Sequence, residues 1–182
     1  MRHNLLITFL SFLFVIMLIV ACDEDMPSVD DPANIDTLEM PIDTISMDTL
    51  SNSIDSILAD ITDVSFSGDD NSYTFSATIL SPDVDCDQYA NWWEIVSLDG
   101  ELIYRRILNH SHVDEQPFTR SGGPLEIVAD EEVYVRAWMH PTGYGGKVFK
   151  GSINSGFTAY NLPLDFALAL GNQEPLPDFC LY

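Results

Sequence analysis

The sequence predicts an all-β protein, a single antiparallel β-sandwich of about seven strands. Three observations predict it. From residue 61 onward the apolar residues recur with period two, as in Tyr73, Phe75, Ala77 and Ile79 alternating with Thr74, Ser76 and Thr78. Asp99-Gly100 sits between two apolar-rich runs, the signal of a tight hairpin. Turn-forming clusters such as Gly68-Asp69-Asp70-Asn71 and Gly143-Tyr144-Gly145-Gly146 punctuate the rest, with no amphipathic helix between them.

The elements follow in order. Residues 62–67 form a strand with Val64 and Phe66 inward, and residues 72–80 return as its partner across the Gly68 turn. Residues 89–98 and 101–109 flank Asp99-Gly100, read as a two-residue type I′ turn. Residues equidistant from that turn face each other, so Glu94 opposes Arg105 as a salt bridge and Trp93 opposes Arg106 as a cation–π contact. Gly122-Gly123-Pro124 reads as a turn before a short strand at 125–128, and strands at 132–140 and 147–153 complete the set. The sandwich domain is expected over 61–156, with 157–182 as a C-terminal tail packed on it.

The N-terminus has a different character. Arg2 and His3 precede an unbroken apolar run from Leu5 to Val20, shorter than the ~20 residues needed to cross a bilayer. The run ends in Ile19-Val20-Ala21-Cys22, which resembles the lipobox of bacterial lipoproteins. The resemblance implies removal of a signal peptide, 1–21, and acylation of Cys22, a membrane anchor that does not span. Asp23-Glu24-Asp25 then resembles the surface-export signal of lipoproteins in some diderm bacteria, whereas in other lineages Asp after the cysteine means inner-membrane retention. The surface reading is preferred, giving a surface-exposed outer-membrane lipoprotein.

Residues 22–60 hold no Lys, Arg or aromatic side chain and are rich in carboxylates, the composition of an acidic, flexible stalk. A tetrapeptide recurs in it at Ile35-Asp36-Thr37-Leu38, Ile42-Asp43-Thr44-Ile45, Met47-Asp48-Thr49-Leu50 and Ile54-Asp55-Ser56-Ile57. It resembles the acceptor motif of a periplasmic O-glycosylation system, which implies glycans on Thr37, Thr44, Thr49 and Ser56. Met47, Leu50, Ile54, Ile57, Leu58 and Ile61 also fall at helical spacing, so a short amphipathic helix is the alternative for its last part.

The strand pattern itself, with Trp92 and Trp93 on the third strand and Tyr134 on the sixth, resembles an immunoglobulin or fibronectin type III domain. Fold-level likeness transfers no function. It does place the loops at 81–88, 110–115 and 140–146 at one end, the end that carries the binding loops of immunoglobulin variable domains.

Charge excludes one class of partner. Seven Lys and Arg against 29 Asp and Glu give a formal net charge of -22, which repels nucleic acid and anionic membrane surfaces. Catalytic motifs are missing: there is no G-x-S-x-G elbow, H-E-x-x-H helix or P-loop, and Ser111 and His112, as neighbours on a strand, point to opposite faces. The chain therefore reads as a binding or adhesion module for a glycan or surface protein rather than an enzyme. The second reading is a metal-binding protein. His110 and His112 share a strand face and His140 ends a strand two inter-strand steps of about 4.8 Å away, so the three can share zinc or copper, with Asp114 or Glu115 as a further ligand. Asp83, Asp85 and Asp87 follow EF-hand calcium spacing, but Gln88 occupies the position that needs Gly. Cys86 and Cys180 remain after lipidation, and in an oxidising compartment such a pair is expected to bridge.

Overall fold

The computed structural model describes residues 57–181. Cys22, Thr37, Thr44, Thr49, Ser56, the signal peptide and most of the stalk lie outside them. The fold is all-β: eight strands in two antiparallel sheets. A three-stranded sheet has the order β1 (Asp60–Ser67), β2 (Tyr73–Leu80), β5 (Phe118–Leu125). The five-stranded sheet has the order β4 (Leu102–Ile107), β3 (Tyr89–Ser97), β6 (Val133–His140), β7 (Val148–Ser152), β8 (Gly156–Tyr160). Ile61, the last residue of the expected helical stripe, lies fully buried in β1, because its backbone pairs with β2.

The alternation in β2 places Phe75, Ala77 and Ile79 in the core with Trp93, Ile95, Val133, Val135 and Met139 of the other sheet. The opposite face is hydroxylated, and Ser76 and Thr78 meet Ser121 and Thr119 of β5 at 2.7 and 2.8 Å. Such directly opposed hydroxyls are favourable cross-strand pairs.

Four expectations need correction. The β3–β4 connection is not a two-residue turn. Gly100 N–H donates to Ser97 O, Ser97 N–H donates to Glu101 O, and only Gly100, at φ 87°, has positive φ in the loop. This is a three-residue loop with glycine in the left-handed region. The register slips once between Ile95 and Val96, so that Glu94 still faces Arg105 and Trp93 still faces Arg106. Trp93, however, lies in the core against Tyr104, where a cation would lose its hydration, while Arg106 is exposed. The cation–π contact is instead that of Arg105 over Trp92, at 4.4 Å.

The fifth strand also shifts, from the expected 125–128 to Phe118–Leu125, with Gly122-Gly123-Pro124 inside it. A Cβ on Gly122 would stand 2.5 Å from the Tyr104 ring, so glycine there admits Tyr104 across the strand. Pro124 is tolerated because β5 is an edge strand, irregularly paired near Tyr73. Finally, β8 extends the sandwich to Tyr160, beyond the expected boundary.

β3 is buried on both faces. Its outer face carries Glu94, flanked in register by Arg105 of β4 and Arg136 of β6. Glu94 Oε2 accepts from Arg105 Nε at 2.8 Å and Nη2 at 2.5 Å, and Oε1 accepts from Arg136 Nε at 2.8 Å. The arginines spend their other N–H groups on the C-terminal segment: Arg136 donates to Phe166 O and Ala167 O, Arg105 to Leu170 O, Gln173 O and Pro175 O. Gly171 of that segment lies against Trp138, which a Cβ would approach to 2.5 Å, and Trp138 stacks on Trp92 at 4.8 Å. Arg136 lies 3.5 Å above the Tyr144 ring. Burial, and then the Glu94 carboxylate, push the Tyr144 hydroxyl well above the usual phenol range.

Removing one member of a buried ionic row leaves the others unpaired. Glu94→Gln is therefore expected to lower unfolding stability in urea by about 3 to 5 kcal/mol, whereas Arg106→Gln, on the exposed side of the edge, changes it by less than about 0.5 kcal/mol.

Candidate functional site

The loop after β2 and the segment after β4 meet at one end of the sandwich and are built around Asp83. Its Oδ1 accepts from Ser81 Oγ at 2.6 Å and from Ala90 N–H at 2.9 Å, and its Oδ2 accepts from His112 N–H at 2.8 Å. Gln116 closes the arrangement by accepting from Ser81 N–H and donating to Ser81 Oγ and His112 O. Burial opposes the charge on Asp83, but donors from His112, Ser81 and Ala90 outweigh it and hold the carboxyl below its ordinary pKa of 3.8. The His112 imidazole contributes at a distance, with Nδ1 3.8 Å from Asp83 Oδ2.

These contacts answer the calcium reading. Asp83 is consumed by loop N–H and hydroxyl donors, and Asp85 caps the turn by accepting from Asp87 N–H and Gln88 N–H. Glu94, at the last position of the EF-hand spacing, belongs to the arginine row on the sheet. The aspartates organise a loop instead of converging on a cation.

The histidines divide into two places. His110 and His112 are brought together, with ring centroids 4.3 Å apart, and His112 stacks on Phe118 at 3.7 Å. His140 pairs with Tyr89 across β3 and β6 and lines a separate depression with Asn91, Pro177 and the Cys86–Cys180 disulfide. The C-terminal tail expected to pack on the sandwich lines both places: Leu181 the first and residues 177–180 the second. Among the described residues no group of three His, Cys, Asp or Glu side chains is placed to hold a metal ion.

What His110 and His112 do share is an open groove of about 420 Å³ walled by Val84, Ser111, Val113, Asp114, Glu115 and Leu181. Val84, Val113 and Leu181 are 57, 49 and 60% exposed, so three aliphatic side chains converge on it half covered. Glu115 is held by Arg120 at 2.7 Å, which lowers its pKa. The far wall is fixed covalently. Cys86 and Cys180 are bridged, as expected, with Cα atoms 5.7 Å apart, and Leu181 N–H donates to Asn109 O at 2.6 Å. Sequence reasoning found the histidines and acids but not Val84, Val113 or Leu181. The only signal for those was a cluster of aliphatic residues in loops, which needs the fold to become a cluster in space.

Asp83→Asn is expected to destabilise by about 1 to 3 kcal/mol by leaving donors facing an amide nitrogen. Because the folded pKa is depressed, the deficit relative to wild type is full above pH 3.8 and shrinks as pH falls through the lower folded value. Urea midpoints of both proteins between about pH 2 and 7, the range in which carboxylates titrate, measure it. Replacing both Cys86 and Cys180 by Ser should cost about 2 to 5 kcal/mol in the same assay.

Comparison with known proteins places the chain sparsely. No family model and no solved structure matches it. A protein of Halomicrobium mukohataei named "Putative lipoprotein" is 35% identical over 102 residues, which is 55% of this chain and 50% of that protein. The chain thus spans about half the length of the curated relative it matches.

Proposed function

We propose that the chain is a lipid-anchored protein of the cell envelope whose β-sandwich is a non-enzymatic binding or adhesion module. The observation that carries the binding role is the groove at the loop end. Its floor is locked by the Asp83 and Gln116 contacts, one wall is tied by the disulfide, and its aliphatic side chains are left partly uncovered. Rigid scaffolding under exposed loops is the usual construction of a recognition surface. An immunoglobulin-like arrangement is supported by the strand order, β1-β2-β5 facing β4-β3-β6-β7.

The anchoring role draws on Ile19-Val20-Ala21-Cys22 and on the similarity to a protein named as a lipoprotein. Acylation of Cys22 would hold the sandwich near a membrane without a spanning segment. Asp23-Glu24-Asp25 and the acidic stretch behind it suit display on the outer face, with a glycan or a surface protein as the partner.

Cells fed a labelled fatty acid should tag the wild-type protein, and a Cys22→Ser variant should carry no label; label on the variant would contradict the anchor. On an array of glycans and envelope proteins, the lipid-free chain should be retained by a subset of spots and the Val113→Asp chain released from them. Equal retention of the two would remove the groove from the binding surface.

A further inference from the structure

The three segments that frame the groove, 81–88, 108–117 and 176–181, contain no Lys or Arg. They carry Asp83, Asp85, Asp87, Asp114, Glu115 and Asp178, in a chain whose net charge is -22. Acidity alone defines no site, since carboxylates on loops are ordinarily just solvated. The second observation is His112. It is 2% exposed, forms part of the groove wall, and neither ring nitrogen has a hydrogen-bond partner among the described residues. Ser111 Oγ is also buried and unpartnered, and because residues 111 and 112 lie outside any strand, both line the groove instead of facing opposite ways as expected. Buried polar atoms are nearly always paired, so each unpaired one calls for a partner that the described residues do not supply.

The chemistry of that missing partner follows from its neighbours. Asp83 Oδ2, 3.8 Å from His112 Nδ1, favours the proton on Nδ1, which leaves Nε2 a bare acceptor. Ser111 Oγ can also accept. His110, the exposed ring tilted against His112 at 4.3 Å, lies between it and solvent. Burial lowers the His110 pKa below its ordinary value. Around these acceptors stand two carboxylates and three partly covered aliphatic side chains.

We infer that the groove binds a primary alkylammonium group. Its N–H groups would be shared by His112 Nε2, Ser111 Oγ and the Asp114 carboxylate, Glu115 being already paired with Arg120, while its methylene chain lies on Val84, Val113 and Leu181. An alkylammonium matches all three features at once: it has hydrogens to give, a positive charge and an apolar stem. A fatty carboxylate fails on charge, and an inorganic cation leaves the aliphatic wall unused. The inference rests on the binding-module reading and names the ligand class for that same groove. Such a group occurs on a lysine side chain of a partner protein and on a free aliphatic amine.

The test is an NMR titration of the chain from residue 22 onward with Cys22→Ser, which carries neither the apolar run Leu5–Val20 nor an acyl chain, following the His110 and His112 ring resonances. Hexylamine, hexanol and hexanoate are the probes, each at neutral pH. Saturable shifts with hexylamine, much weaker ones with hexanol and none with hexanoate are expected. Asp114→Asn should weaken hexylamine binding by about twofold to fivefold, an effect lost in high salt. Val113→Ser should weaken it roughly tenfold. A short peptide with lysine between valines separates the sources: tighter binding than hexylamine assigns the lysine of a partner protein, and weaker binding assigns a free amine. If hexanol or hexanoate binds as well as hexylamine, the cation inference fails while the groove remains a binding site. If none of the three binds, or if hexylamine binds equally to both variants, the groove as the site of recognition fails too.

Discussion

The fold turns on one carboxylate. Glu94 sits on β3, between β4 and β6 of the five-stranded sheet, with no exposure, a position that would be prohibitive for a lone charge. It is tolerable because the antiparallel register sets an arginine on each neighbouring strand directly beside it, and each carboxylate oxygen serves one of them. A buried ionic row is a poor source of stability by comparison with apolar packing of the same volume. Its worth here is specificity. Two guanidinium groups whose Nε atoms are fixed on Glu94 present their remaining N–H donors outward in fixed directions, and five backbone carbonyls of the C-terminal segment occupy them.

The segment thus docked has little regular structure of its own, only β8 and the short 3-10 turn at Leu168–Asn172, and could not order itself by local propensity. Bound to the arginines, it lies against Trp138 through Gly171 and reaches the loop end, where Cys180 bridges Cys86 and Leu181 completes the groove. The route from the ionic row to the recognition end is therefore a continuous chain of contacts. The groove's other wall is organised independently by Asp83, which gathers donors from three separate stretches of chain.

The sandwich was legible in the sequence where physics is local. Alternation marks β2 plainly because one face meets the core and the other is hydroxylated, and the opposition of Glu94 and Arg105 follows from the hairpin alone. The disulfide was legible from compartment chemistry. β5 was not, because Gly122-Gly123-Pro124 reads as a turn until Tyr104 is known to need the space above Gly122. Arg136 stands in an otherwise apolar strand, a sign of a buried charge, but its partner lies 42 residues away and only the sheet order joins them. His110 and His112 come together in the irregular segment after β4, whereas His140, at the end of β6, opens on a different depression with the C-terminal segment, a division that strand spacing alone does not reveal.

The most direct test of the account is amide hydrogen exchange in the Glu94→Gln chain with the disulfide intact. If the ionic row holds the C-terminal segment, the N–H groups of Leu170, Gln173 and Leu181, each bonded in the native protein, should lose protection together while those of β2 keep theirs. Unchanged protection at Leu170 and Gln173 would show that the segment stays docked without Glu94, and would contradict the claim that this carboxylate organises it.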